Sequence, residues 1–189
     1  MANKDDYEKI NSNTDNYFLK TKKILNKFGD TNVTYAVFLR RPGILAIKMA
    51  VDWIKFVAAK RKIKISIKSP YKEGDWFGAG EPIIFISGSM KHLVDLETIF
   101  LQKIGPSCIA AANAYQMCFD LPKTFFIAME ARHCAGIDMS DMMSYAASVG
   151  SKAAKKKKAK GFLGTSVSSS AKFFNLNKGI GTMPHALIG

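Results

Sequence analysis

Two kinds of hydrophobic spacing alternate over the first two thirds of the chain. Apolar residues three and four positions apart predict helices over 16–28, 44–60 and 92–117. The last of these should be interrupted or kinked at Gly105-Pro106, because proline removes a helical hydrogen bond. Runs that are rich in β-branched and aromatic residues, or that alternate apolar with polar positions, predict strands over 33–39, 63–67 and 81–88. We therefore expect an α/β sandwich-like domain over residues 1–120.

Residues 121–189 alternate short apolar runs with helical segments, and each apolar run ends on polar residues. The predicted elements are a strand from Phe125, a helix over 138–160, a strand from Gly161, a helix over 168–174 and a strand from Gly179. This order is typical of parallel β/α units, so we expect the first units of a β/α barrel here. In such barrels the chemistry gathers at the carboxyl ends of the strands. The polar residues that follow the apolar runs include Arg132, Thr165, Ser166 and His185.

The charge of the chain is strongly positive, with 28 Lys and Arg against 15 acidic residues and a formal net charge of +13. Most of the excess is lysine, including the run over 152–160. Scattered lysine favours a solvated surface, and a run of this kind suits the solvent side of an outer barrel helix. A phosphate-rich ligand or a nucleic acid remains an alternative, because the overall field attracts anions. We rank nucleic-acid binding last.

The cysteines and histidines show no metal-ligand spacing, so we expect no metal site among them. The three cysteines include no Cys-x-x-Cys pair, which indicates reduced thiols. No apolar run approaches the roughly 20 residues that a membrane helix requires, and the N-terminus lacks the apolar core of a signal peptide. We therefore expect a cytoplasmic protein without a membrane partner.

Four short motifs together resemble the nicotinate phosphoribosyltransferase family. They are Thr14-Asp15-x-Tyr17, Glu130-Ala-Arg132-His133, Gly164-Thr165-Ser166 and Gly181-Thr182-Met183-Pro184-His185. A Glu-Gly…Gly-Glu-Pro strand pair and the sequence Leu96-Glu97-Thr98 are similar to the family's N-terminal domain. The resemblance implies a type II phosphoribosyltransferase-like fold, in which an α+β N-terminal domain precedes a β/α barrel.

The same resemblance implies an activity. The family joins nicotinate and phosphoribosyl pyrophosphate to nicotinate mononucleotide with ATP hydrolysis, in NAD biosynthesis, and uses magnesium. The matching histidine, His185, would be the catalytic residue that ATP phosphorylates. Tyr17 would stack on the pyridine ring across the interface of a homodimer. The matching substrate-binding residues would be Tyr17, Arg132, Gly164, Thr165, Ser166 and Thr182.

General chemistry is compatible with these roles but leaves other interpretations open. An arginine fork can hold a carboxylate or a phosphate through two parallel bonds, and an imidazole is nucleophilic near neutral pH. Without the resemblance, Arg132 would be read as part of a surface ion pair. His185 would be a capping or core histidine, and Tyr17 a half-buried helix residue.

The part of the family that the resemblance covers is its front portion. Residues 125–189 supply about three strands, whereas a closed barrel takes about 250 residues. We therefore expect a chain that is truncated inside the barrel and inactive alone. It would act with a separately encoded C-terminal barrel part or in a homodimer. The alternative is a non-catalytic remnant or interaction module.

Overall fold

Two units make up the computed structural model, which describes residues 7–181 and 183–187, apart from the side chain of His185. The first unit ends at Pro106 and the second begins at Ser107, inside one long helix. The sequence places the domain boundary later, at the end of that helix. The mixed α/β fold class predicted from the sequence is confirmed.

The first unit is built on a three-stranded antiparallel sheet. Its strands are β1 (Asn32–Phe38), β2 (Gly43–Ile44), β3 (Ser66–Lys68), β4 (Trp76–Phe77) and β5 (Pro82–Ser89). The sheet order is β1-β5-β3, and β2 pairs separately with β4. The helices are α1 (Asn16–Phe28), α2 (Lys48–Arg61), α3 (Met90–Leu93) and the beginning of α4 (Glu97–Asp120). Within this sheet, β1 is an edge strand that pairs only with β5.

The core of the first unit comes from the inward faces of α2 and β5. On α2, the buried residues Ala50, Trp53, Ile54 and Val57 follow helical spacing. On β5, Ile83, Ile84 and Ile86 are at most 1% exposed. Helix and sheet therefore bury one another, as the sequence pattern predicts for this domain.

Three predicted elements of the first unit differ from the structure. The strand predicted over 63–67 is the shorter β3, Ser66–Lys68. The helix predicted from residue 44 begins only at Lys48, because Leu45 is held by the loop before β4. Its N–H donates to the Asp75 carbonyl and its own carbonyl accepts from the Gly74 N–H, both at 2.8 Å. The helix predicted over 92–117 is two helices, separated by a turn at 94–96, and α4 then continues through Pro106.

The second unit contains a parallel pair of strands, β6 (Phe125–Ala128) and β7 (Gly161–Thr165), joined by helix α5 (Ile137–Lys155). The parallel pairing of these segments confirms the predicted β/α arrangement. Helix α5 packs closely on the last part of α4: a Cβ at Gly150 would lie 2.1 Å from the Ala111 carbonyl oxygen. Phe126 and Phe162 stack across the two strands, with ring centroids 5.3 Å apart.

The segments after β7 are less regular than the sequence predicts. The helix expected over 168–174 is a 3-10 helix, Ser168–Phe174. Residues 179–181 form no strand in the described part of the chain, although the Ile180 N–H donates to the Thr165 carbonyl at 2.7 Å. The Gly179 N–H also donates to the Ser168 hydroxyl at 3.1 Å, so two hydrogen bonds hold this segment without forming a strand.

Candidate functional site

The carboxyl ends of β6 and β7 lie side by side, because the two strands are parallel neighbours. Their pairing continues one step past the strands, where the Ser166 N–H donates to the Ala128 carbonyl at 2.9 Å. The residues that follow both strands therefore share one edge of the second unit. This is the edge at which parallel sheets carry ligand sites.

A network of polar side chains occupies this edge. The Ser144 hydroxyl on α5 donates to the Glu130 carboxylate in the segment after β6. The hydroxyl oxygens of Ser144 and Thr165 lie 3.3 Å apart. The Thr165 hydroxyl also accepts from the Val167 N–H at 3.2 Å. Helix α5 thus joins the ends of the two strands through one serine.

Thr165 and Ser166 differ in their access to a ligand. Thr165 is fully buried, so its hydroxyl belongs to the network. Ser166 is only partly buried and lies one position further along, which leaves it the more accessible of the two. A ligand role for either hydroxyl stays a prediction.

Gly164 is fixed by packing within the chain. A Cβ at this position would lie 2.6 Å from the Leu176 side chain and 2.7 Å from that of Ile180. The space beside Gly164 is therefore filled by the segments that follow β7. The absence of a side chain at Gly164 thus lets the Leu176 and Ile180 side chains pack against its backbone.

Arg132 lies in a 3-10 helix, Ala131–His133, beyond the end of β6. Its side chain is exposed, and it makes no ion pair within the described part of the chain. The nearby Cys134 thiol has its pKa raised by burial and by the Glu130 carboxylate. Arg132 thus lies close in sequence to the polar network, with a guanidinium that is free to meet a ligand.

Tyr17 belongs to the first unit, on the first turn of α1. Its ring is 59% exposed and lies 4.0 Å from that of Phe18, centroid to centroid. Partial desolvation and the Glu97 and Asp15 carboxylates raise the pKa of its hydroxyl. An aromatic face with this exposure is available for stacking.

The motif that contains Tyr17 is tied to a second motif. The Thr14 hydroxyl donates to the Asp95 carbonyl at 2.8 Å, and the Asp15 carboxylate accepts from the Thr98 hydroxyl at 3.0 Å. The beginning of α1 is therefore anchored to the beginning of α4. The N-cap residue of α1, Asp15, makes no side-chain capping bond to the helix.

Two predicted site residues cannot be placed. Thr182 lies outside the described residues. The backbone of His185 begins a 3-10 helix, His185–Leu187, whereas its side chain lies outside the described part. Their roles stay predictions.

Two residues of the network, Glu130 and Ser144, were not predicted from the sequence. Glu130 belongs to the motif Glu130-Ala-Arg132-His133, in which only Arg132 was predicted to bind substrate. Ser144 had a signal of its own, since α5 carries buried serines at helical spacing: Ser140, Ser144, Ser148 and Ser151. A stripe of hydroxyls on a buried helix face indicates polar contacts with whatever it covers.

The described residues contain neither a metal-binding cluster nor a membrane-spanning helix. No group of three or more His, Cys, Asp or Glu side chains could hold a metal ion. Glu130 is the only carboxylate in the network, so these residues alone do not provide a magnesium site. Among the described helices, none has the length and hydrophobicity to cross a membrane.

Comparison with known proteins relates the chain to phosphoribosyltransferases. Residues 15–108 match the model of the quinolinate phosphoribosyl transferase N-terminal domain. No curated protein matches the chain significantly. A nicotinate-nucleotide pyrophosphorylase from Pyrococcus furiosus is 27% identical, with a TM-score of 0.74, over 100% of this chain and 45% of that one.

Two other solved structures resemble the fold. Human nicotinic acid phosphoribosyltransferase is 17% identical, with a TM-score of 0.71, over 93% of this chain and 40% of that chain. NadC from Streptococcus pyogenes is 20% identical, with a TM-score of 0.54, over 69% and 45%. The chain spans less than half the length of these three proteins. Residues 15–108 are thus similar to the quinolinate phosphoribosyl transferase N-terminal domain, and the fold of the chain is type II phosphoribosyltransferase-like.

Proposed function

We propose that this chain forms part of a phosphoribosyltransferase of NAD biosynthesis that joins nicotinate to phosphoribosyl pyrophosphate. The observation that supports the phosphoribosyltransferase reaction is the likeness, over the whole chain, to the Pyrococcus furiosus nicotinate-nucleotide pyrophosphorylase. Nicotinate as the acceptor rests on the resemblance of the motifs. In this reaction the pyridine nitrogen forms a bond to the ribose carbon, and pyrophosphate leaves.

The polar residues that follow β6 and β7 bind the pyridine carboxylic acid. Arg132 holds the carboxylate of nicotinate through its guanidinium fork. The Ser166 hydroxyl contacts the ligand beside Arg132, and the buried Gly164 and Thr165 hold Ser166 in position. Glu130 and Ser144 fix the end of β6 against β7, so that the loop carrying Arg132 keeps its position.

The remaining roles rest on the resemblance of motifs. Tyr17 stacks on the ring of a substrate that is bound by a second copy in a homodimer. Thr182 contacts the substrate, and His185 takes the phosphoryl group of ATP. Magnesium enters with the phosphates of phosphoribosyl pyrophosphate, because the described side chains do not form a site for it alone.

Quinolinate is a second candidate substrate. The family model that matches residues 15–108 is named for quinolinate phosphoribosyl transferase. Quinolinate carries one more carboxylate than nicotinate, so its tight binding requires a second cation. A direct comparison of the two acids separates the candidates.

Calorimetry and a product assay test this function, with a complete barrel supplied by a longer protein or by a partner polypeptide. We expect nicotinate to bind and nicotinate mononucleotide to form. Arg132→Ala should weaken nicotinate binding by about 2–4 kcal/mol through loss of a charge-assisted pair. Lys160→Ala, which removes another exposed cation of the same unit, should leave binding unchanged.

Other outcomes have distinct meanings. Tighter binding and turnover of quinolinate would change the substrate but keep the reaction class. If neither acid gives a mononucleotide with a complete barrel, the chain is the non-catalytic remnant or interaction module.

A further inference from the structure

A cavity of about 480 Å³ lies in the first unit, against β1, α2 and the beginning of α4. Ile54, Leu96 and Phe100 supply apolar wall, and all three are buried. The volume falls within the range of roughly 300–1,000 Å³ that is usual for small-molecule sites. None of the residues given a role in the proposed transferase reaction is among those that line it. The cavity is therefore a separate candidate site.

The cavity opens to solvent along β1. Residues 34–38 of this strand line it, and those at positions 34, 36 and 38 are exposed. Since β1 is an edge strand, its outer backbone groups have no strand partner within the described residues. The strand also carries no charged side chain that would repel an apolar ligand. A small molecule can enter from this edge and find backbone hydrogen-bonding groups there.

Four of the lining residues are polar, and two of them, Thr34 and Arg40, are exposed; the other two are Tyr35 and Glu97. Both are partly buried, and within the described part of the chain neither forms a side-chain hydrogen bond or ion pair. Both side chains line the same cavity. Burial raises the pKa of both groups, and the Glu97 carboxylate raises the pKa of Tyr35 further. A partly buried carboxylate without a cation is costly unless something pairs with it.

The charges around the cavity favour a cationic ligand. Two cations, Arg61 and Lys22, bind Asp95, which lies two residues before Glu97, and neither pairs with Glu97. Arg40 also lines the cavity, but it is exposed and lies beyond the end of β1. The partly buried charge without a partner is thus the carboxylate, although the chain as a whole has a formal charge of +13.

We propose that this cavity binds a small molecule with an apolar body and a protonated amine. The ammonium group pairs with the Glu97 carboxylate and donates to the Tyr35 hydroxyl oxygen. The apolar body lies against Ile54, Leu96 and Phe100. Nicotinate and quinolinate are anions, so this ligand class differs from that of the transferase site.

Three probes of similar size test the proposal on the full chain by calorimetry or ligand-observed NMR. They are 2-phenylethylamine, the neutral 2-phenylethanol and the anionic 3-phenylpropionate. We expect the amine to bind with a Kd of about a millimolar or tighter, the alcohol at least tenfold more weakly, and the acid more weakly still.

Two variants identify the site. Glu97→Gln should weaken amine binding at least tenfold and bring the amine and the alcohol close together, without loss of thermal stability, because Glu97 has no partner to lose. Asp52→Asn removes an exposed carboxylate of α2 that does not line the cavity, and it should leave amine binding unchanged. Equal affinity for the three probes, no amine binding at millimolar concentration, or unchanged binding in Glu97→Gln would each overturn the proposal.

Discussion

Arg61 donates two hydrogen bonds from its guanidinium to the Asp95 carboxylate, at 2.8 and 2.9 Å, and Asp95 is completely buried. Lys22 on α1 joins the same carboxylate at 2.5 Å. One aspartate therefore ties α1 and α2 to the turn between α3 and α4. Because the carboxylate is buried, its charge would be costly without these partners.

Replacing this carboxylate should destabilise the protein. Asp95→Asn leaves Arg61 and Lys22 without their charge partner, and we expect a loss of about 3 kcal/mol in the free energy of unfolding, measured in urea. The matched control is Asp52→Asn, which breaks an exposed pair with Lys48 on one helix face. That variant should lose about 0.5 kcal/mol or less. Similar losses for the two variants would mean that the buried Asp95 carboxylate stabilises the fold no more than the exposed Asp52 carboxylate.

The same pair of proteins tests the pH dependence. Burial works to raise the pKa of Asp95, but hydrogen bonds from Arg61 and Lys22 outweigh it, so the pKa lies below its ordinary value. A lowered folded-state pKa contributes stability that is present above the unfolded pKa, near 3.9, and is lost as the pH falls through the folded value. The stability difference between the wild type and Asp95→Asn should therefore shrink on acidification below about pH 4. A difference that is equal at pH 7 and pH 3 would contradict this.

The close contact between α4 and α5 depends on a glycine, Gly150, at the point where the helices meet. A Cβ at residue 150 would lie 2.1 Å from the Ala111 carbonyl oxygen and 2.8 Å from the Tyr115 nitrogen. Because both neighbours are backbone atoms, Gly150→Ala must push the helices apart, at a cost of at least about 2 kcal/mol. Gly105→Ala on α4 meets nothing within 4 Å and should stabilise the protein by up to about 1 kcal/mol. Urea midpoints that move the same way in the two variants would refute this contact.

Local patterns predicted much of the first unit. The predicted bounds of α1 match the structure, since helical spacing and Gly29 define the helix without help from distant residues. The error at Gly43–Ile44 has a non-local cause, the bonds of Leu45 to the loop at Gly74 and Asp75. The spacing of apolar residues does not predict these bonds, because Leu45 and the loop at residues 74–75 are far apart in the sequence.

In the candidate site as well, local patterns predicted the strand ends but not the long-range contacts between them. The motifs placed Thr165 and Ser166 at the end of a strand, and the structure places them there. The link through Ser144 was missed because it depends on which face of α5 covers the strand ends. That face is set by packing such as the approach of Gly150 to Ala111, which a single sequence does not specify.

The cysteines offer a probe of the edge that carries Glu130. Cys134 is partly exposed, whereas Cys108 and Cys118 are buried, so alkylation should modify Cys134 first. Burial and the Glu130 carboxylate raise the pKa of Cys134, so the midpoint of its pH–rate profile should lie above the ordinary value near 8.5.

The contribution of Glu130 can be separated from that of burial. Glu130→Gln should lower the midpoint for Cys134, because it removes the negative charge and leaves the burial. Asp120→Asn, at the end of α4, should not move it. Mass spectrometry after timed iodoacetamide labelling measures both. An unchanged midpoint in Glu130→Gln would place Glu130 away from the thiol.

In limited proteolysis, trypsin should cut the chain first in the turn that follows α5. The helix stops at Lys155, and the turn that follows exposes Lys156, Lys157 and Lys158, the last with a left-handed φ of 69°. A protease requires local unfolding of the segment it cuts, and a strained, exposed turn opens at low cost. Trypsin should therefore cut after these lysines before it cuts after Lys152, which lies within the helix.

Lys152 is the internal control for this experiment. It is exposed as well, but it belongs to α5, and its ammonium group donates to the Phe173 carbonyl at 3.3 Å. The neighbouring Ala153 and Ala154 are buried, so cutting there requires the helix to leave its packing. Mass spectrometry of the first fragments distinguishes the sites. A first cut at Lys152 would mean that α5 opens as readily as the turn, and that the strand ends joined by Ser144 are not held in place by a firmly packed helix.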